Sequence, residues 1–254
     1  MRKIVLFLAA LAATLSAMAQ SSHQLDIDLK KPGAAIQPTL YGIFFEDINY
    51  AADGGLYAEL VKNRSFEFPS DALQGWKAFG KVEVKNDGPF ECNPHYVRLS
   101  DPGHPHKWTG LDNEGFFGIG VKGGETYRFS VWARNVGKTK STGILAILCE
   151  PSGQVENQVL QEEYIEISSK KWTRYEVVFT APRTVEKAAL RVLLADEDPA
   201  GAVDLEHVSL YPVDTFNGDE NGLRKDLAQA LADLHPGILR FPGGCIVEGV
   251  DLQN

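Results

Sequence analysis

Cysteine is scarce and odd in number. Cys92, Cys149 and Cys245 are the only three in 254 residues, so the chain is no disulfide-stapled scaffold. A Cys92–Cys149 bridge and two buried free thiols both stay open, with buried free thiols the expectation. Basic charge is also short: 25 Lys and Arg face 34 Asp and Glu, giving a formal charge of −9. No basic block offsets this, which excludes a nucleic-acid partner. Low-complexity tracts are missing and 44% of residues are hydrophobic, so the material is globular rather than disordered. After the apolar run Ile4 to Leu15 no second long one follows, and that run is too short to cross a bilayer comfortably.

What is present begins with a leader. Arg2 and Lys3 precede the apolar run, and Ala17-Met18-Ala19 supplies a small-x-small cleavage site before Gln20. Residues 1–19 therefore read as a signal peptide, and the mature chain as secreted or periplasmic with no membrane span. Cleavage removes two cations and no anions, moving the formal charge from −9 to −11.

The mature chain has three stretches. Residues 20–74 open with Leu25, Ile27 and Leu29 alternating with polar residues, the period of a half-buried strand. A denser apolar strand, Tyr41 to Phe45, ends at Glu46 and Asp47, and a short helix follows with Leu56, Leu60 and Val61 on one face. Residues 75–213 carry strand-like runs at 96–99, 126–133, 144–149, 172–181, 188–194 and 203–211, with no helix signal. Alternation such as Tyr127, Phe129, Val131 predicts an antiparallel β-sandwich. Residues 214–254 change period: Leu223, Leu227, Leu231 and Leu234 form one helical stripe over 221–234, and Ile238 to Phe241 reads as a buried strand. Strand, helix and strand form a βαβ unit with parallel strands. Its first connection is far longer than the usual two to six or so residues, so the sandwich is expected to be inserted in it.

Glu46 and Arg240 lie at the C-terminal ends of the two proposed parallel strands. A carboxylate there can accept hydrogen bonds from sugar hydroxyls and a guanidinium can donate to oxygens, although a structural salt bridge fits the spacing equally well. Asp47 faces away from Glu46 and is expected to cap a turn. Among the tryptophans, Trp132 and Trp172 sit in apolar strands and read as core, whereas Trp108 follows His104-Pro105-His106-Lys107 in a loop and is the better candidate for ligand contact. The spacing of His95, His104 and His106 makes only a weak metal pattern. Asn63-Arg64-Ser65 fits a glycosylation acceptor, a pattern that arises often by chance.

Tyr41 to Ile48, Asn63 to Glu67 and Leu239 to Gly249 (which includes Pro242-Gly243-Gly244-Cys245) resemble the opening of family 51 glycoside hydrolases, the α-L-arabinofuranosidases. Gly75-Trp76, Tyr127 to Ala133, Trp172 to Tyr175 and Val208 to Pro212 are similar to the carbohydrate-binding sandwich inserted in some of them. The resemblance implies a mainly β chain: a jelly-roll, carbohydrate-binding-like sandwich inserted into the start of a (β/α)8 TIM barrel. It implies a retaining hydrolase that releases terminal arabinofuranose from arabinan or arabinoxylan, with no cofactor. It implies that Glu46 holds arabinose hydroxyls and that Arg240 supports the catalytic carboxylates. Cys245 stands where many members have Asn, so its loop position carries over but an amide contact does not. A structural calcium is conceivable by analogy, with no nameable ligands. The partner implied is plant cell-wall polysaccharide or arabino-oligosaccharide, and the full-length protein is open to homo-oligomerisation.

The two glutamates of such an enzyme, about 5–5.5 Å apart, are missing: Asn113-Glu114 falls inside the sandwich and Glu220-Asn221 is in the wrong order. Residues 20–74 and 214–254 also fall well short of the roughly 250 that a barrel takes. The chain is thus expected to be an N-terminal fragment, inactive alone. A non-catalytic carbohydrate-binding protein, or an endoglucanase-type specificity on the same scaffold, are the competing expectations.

Overall fold

The computed structural model describes residues 24–100, 108–151, 158–195 and 200–241. The expected signal peptide, His104, His106 and Cys245 lie outside these residues. Residues up to Leu40 form one unit and Tyr41 onward another. In the first, residues 24–40 make turns, such as the Lys31 N–H to the Asp28 carbonyl at 3.1 Å. The predicted strand is absent there: Leu25, Ile27 and Leu29 are 83%, 72% and 88% exposed, so their alternation buries nothing.

The second unit runs β1 (Ile43–Phe44), β2 (Trp76–Phe79), β3 (Lys81–Lys85), β4 (Tyr96–Ser100), β5 (Gly110–Asn113), β6 (Ile119–Val121) and β7 (Thr126–Asn135). It continues through β8 (Thr142–Glu150), β9 (Gln158–Ile167), β10 (Thr173–Thr180), β11 (Val185–Leu194) and β12 (Ala202–Pro212) to helix α1 (Lys225–Asp233) and β13 (Leu239–Arg240). Five strands form one antiparallel sheet in the order β10-β7-β12-β4-β3. The other sheet is ordered β2-β5-β11-β8-β9, with β6 also pairing β11.

Alternation explains how the sheets face each other. Tyr127, Phe129, Val131 and Ala133 of β7 point inward with Phe179, Leu205 and Leu210, and meet Leu111, Ile144, Leu148, Leu190 and Val192 of the opposite sheet. Each such large apolar side chain contributes about 1.5–3 kcal/mol on burial. Residues 61 and 66, which the sequence puts ahead of the sandwich, are also core: Phe66 is fully buried and its ring lies 5.4 Å from that of Trp76. No helix occurs between Lys62 and Leu210 among the described residues. The predicted short helix at 56–61 is replaced by one wide helical turn, Ala52–Leu56, broken by Gly54 at φ +80°.

Trp132 and Trp172 are not core. Trp132 lies between inward-facing Val131 and Ala133, so it points outward, where Phe90 meets it edge-on at 5.4 Å. Trp172 lies under the Arg134 guanidinium, 4.7 Å from its ring centroid. Cys92 and Cys149 are not joined in a disulfide, and only Cys149 is buried while Cys92 is exposed.

The predicted parallel pairing holds over two residues, Ile43 opposite Leu239 and Phe44 opposite Arg240. The helix is shorter than its apolar stripe. Arg224 N–H bonds to the Leu56 carbonyl (2.8 Å) and Ala58 N–H to the Gly222 carbonyl (3.2 Å), so extended pairing takes residues that the stripe assigns to the first helical turn. In α1 only Ala228 is buried.

Candidate functional site

The end of β1 carries the sequence-predicted pair. Phe45 N–H donates to the Arg240 carbonyl at 2.9 Å and Ile43 N–H to that of Ile238, so the two strand ends lie side by side. Phe44 is in register with Arg240, so their side chains lie on one side of the pair. Arg240 is exposed, and its guanidinium lies 4.6 Å from the Phe44 ring centroid. Glu46 is half-buried just past the strand. Asp47 does what its spacing suggests and caps the next turn, accepting the Ala52 N–H at 3.0 Å. Trp108 is placed elsewhere, leading into β5 and 59% exposed.

Asn63 spends its amide inside the chain, donating to the carbonyls of Ala72 and Gln74 (2.9 Å each) and accepting Glu67 N–H at 3.0 Å. Glu59 is the anchor between this segment and β12. Fully buried, it accepts the N–H groups of Val61 (2.9 Å) and Leu210 (3.0 Å) and the Ser209 hydroxyl (2.6 Å). Burial nevertheless pushes its carboxyl above the usual range.

The outer face of the five-stranded sheet holds a polar group that sequence reading missed. Between Glu206 and Ser209, β12 carries one residue more than β7, and the extra residue, His207, takes φ +45°. Glu206 is fully buried; one of its carboxylate oxygens meets His207 Nδ1 and the other, Oε1, finds no partner among the described residues. Burial raises its pKa, with His207 opposing. Phe90 packs against His207 at 4.9 Å. The signal was legible: inward positions run 203, 205, then 208, 210, a one-residue slip in alternation. Beside it, Asp204 is fully buried and binds Arg98 (2.6 and 2.9 Å) and Arg134 (2.8 Å). The ionised groups of this face are largely paired with one another, and its indole rings are half-buried against Phe90, Tyr96 and Arg134.

The aromatic turn between β5 and β6 is different. Phe117 is 72% exposed, and Tyr50, four residues after Glu46, packs on it and on Phe116 at 5.4 Å each. The string Gly115-Phe116-Phe117-Gly118, two rings between turn-forming glycines, was the available signal.

A family profile described as a carbohydrate binding domain matches residues 58–199. The chain is 40% identical to an extracellular exo-α-L-arabinofuranosidase of Streptomyces chartreusis, over 98% of this chain and 29% of that protein. It is 35% identical to α-L-arabinofuranosidase 1 of Arabidopsis thaliana, over 87% of this chain and 34% of that one. Among solved structures, an arabinose-bound family 51 α-L-arabinofuranosidase matches with a TM-score of 0.77 and 31% identity, over 88% of this chain and 37% of that one. The chain thus spans about a third of the length of the relatives it matches.

Proposed function

Because residues 58–199 place the chain in the carbohydrate-binding domain family, we propose that it is the polysaccharide-holding part of a secreted α-L-arabinofuranosidase. The observation that carries this is the 40% identity to an exo-acting arabinofuranosidase over nearly the whole chain. The parallel pairing of β1 with β13, on either side of the sandwich, supports the arrangement. In this reading the sandwich, starting near Ala58, is an insertion in the first βα connection of a barrel. Active sites of such barrels lie at the C-terminal ends of the strands, which is where Glu46 and Arg240 stand.

Glu46 then accepts hydrogen bonds from arabinose hydroxyls, while Arg240 donates to oxygens of the sugar or of a neighbouring carboxylate. Cys245, by its place after Gly243-Gly244 in the sequence, is a further candidate for sugar contact, and Trp108 offers a ring for stacking on the sandwich. Hydrolysis with retention requires two carboxyl groups about 5–5.5 Å apart, which are to come from residues outside this sequence. The chain alone binds and does not cleave.

Sequencing the gene past codon 254 tests the assignment. An open frame of several hundred codons with an Asn-Glu acid/base motif is expected. A stop codon directly after Asn254 would contradict the enzyme and favour a free-standing binding module. Incubation with an aryl α-L-arabinofuranoside tests the missing pair: no turnover is expected, and turnover proportional to protein would refute its absence.

A further inference from the structure

We propose that the turn Glu114–Gly118 is a sugar platform that holds the main chain of a neutral plant polysaccharide beside the end of β1. The proposal deepens the carbohydrate reading above and rests on it.

The turn is built to stay in place. Asn113, fully buried, donates to the carbonyls of Lys62 (2.9 Å) and Gly75 (3.1 Å). Its side-chain oxygen accepts the N–H groups of Lys62 (3.2 Å) and Gly115 (2.9 Å). Gly118 N–H closes the turn on the Glu114 carbonyl at 2.9 Å. Gly115 and Gly118 take φ +65° and +100°, which side chains rarely adopt. Phe116 packs on the bare backbone of Gly54, where a Cβ would run into its ring. Tyr50 is held too: its hydroxyl accepts a hydrogen bond from Lys62 Nζ at 3.0 Å.

All this ordering presents one ring, Phe117, to solvent. A single exposed apolar residue is unremarkable, but this one divides two cavities. One, of about 750 Å³, opens toward α1 and the other, of about 610 Å³, toward β2, and both are walled by Phe116, Phe117 and Gly118. The two rings thus stand in the wall that these cavities share. Lys62, Glu114 and Lys187 line one side and Lys122, Glu125 and Asp226 the other. Donors and acceptors of both signs suit hydroxyl groups and disfavour a ligand with one dominant charge, while the ring face suits the apolar face of a sugar. Tyr50 follows Glu46 by four residues, so their Cα atoms are at most about 14 Å apart. A chain seated on Phe117 therefore lies within a few sugar units of the rim.

Affinity electrophoresis of the whole chain in gels containing soluble arabinoxylan or linear arabinan tests the platform, with Phe117→Ala and Phe117→Trp alongside and thermal melting as the fold control. At an exposed position neither substitution should disturb folding. Wild type and Phe117→Trp should be retarded, and Phe117→Ala should bind about three- to tenfold more weakly, the loss of one stacked ring. Retardation unchanged in Phe117→Ala overturns the platform alone. A wild type that neither polysaccharide retards overturns the platform and the carbohydrate reading together.

Discussion

Glu206 and Asp204 sit two residues apart on one strand, equally buried, and are treated oppositely by their neighbours. Asp204 receives two guanidinium groups, so Asp204→Ala leaves Arg98 and Arg134 facing each other without their counter-ion. Urea unfolding should show a loss of about 3 kcal/mol. Glu206 keeps an oxygen with no partner among the described residues, and burial lifts its pKa. Because the folded chain then holds this proton to higher pH than the unfolded chain, stability falls as pH rises from the ordinary glutamate range through the raised value. Glu59 shifts in the same direction. Urea midpoints should therefore be higher at pH 5 than at pH 8. Glu206→Gln should flatten that slope without abolishing it; an unchanged slope would contradict the assignment. None of this was legible in composition, because two carboxylates in one alternating run look alike until their neighbours across the sheet are known.

Elements divide by where they lie. Strands that the sequence predicted at 96–99, 126–133, 144–149, 172–181, 188–194 and 203–211 appear with ends moved by a few residues at most. Most of these are inner strands, buried on at least one face by strong apolar alternation. Of the missed strands, β2, β3 and β9 are sheet edges. The sequence of β3 is Lys81-Val82-Glu83-Val84-Lys85, and β9 holds Glu162, Glu163 and Glu166. Such charge blunts an edge against further pairing and hides the strand from a hydrophobic pattern. The missed β5 and β6 are short and contain glycine. The helix stripe misled in the other direction: Leu227 is 37% and Leu234 58% exposed. Leu227→Ser should accordingly change stability by less than about 0.5 kcal/mol in this chain. Gly54→Ala is expected to behave very differently. It combines φ +80° with a clash against Phe116 and should cost about 1–3 kcal/mol by thermal melting.

At the scale of the whole chain, the sandwich was legible because alternation is what any packed sheet needs, and its family through the resemblance of particular motifs such as Tyr127 to Ala133. The pairing of β1 with β13 was legible too, from two apolar strands ending in charged residues. The place of Arg240 beside the end of β1 was readable from the same pattern, whereas the Tyr50–Phe117 contact joins residues 67 positions apart and needed the fold. Limited proteolysis should leave a resistant piece from about residue 58 to 213, since Glu59, Val61 and Phe66 belong to the sandwich by their contacts. Calorimetric titration of the chain with soluble arabinoxylan is the most direct test of the reading that the sandwich holds polysaccharide. Saturable heat with a stoichiometric endpoint is predicted. The absence of any binding heat at millimolar sugar, with the chain folded, would contradict it.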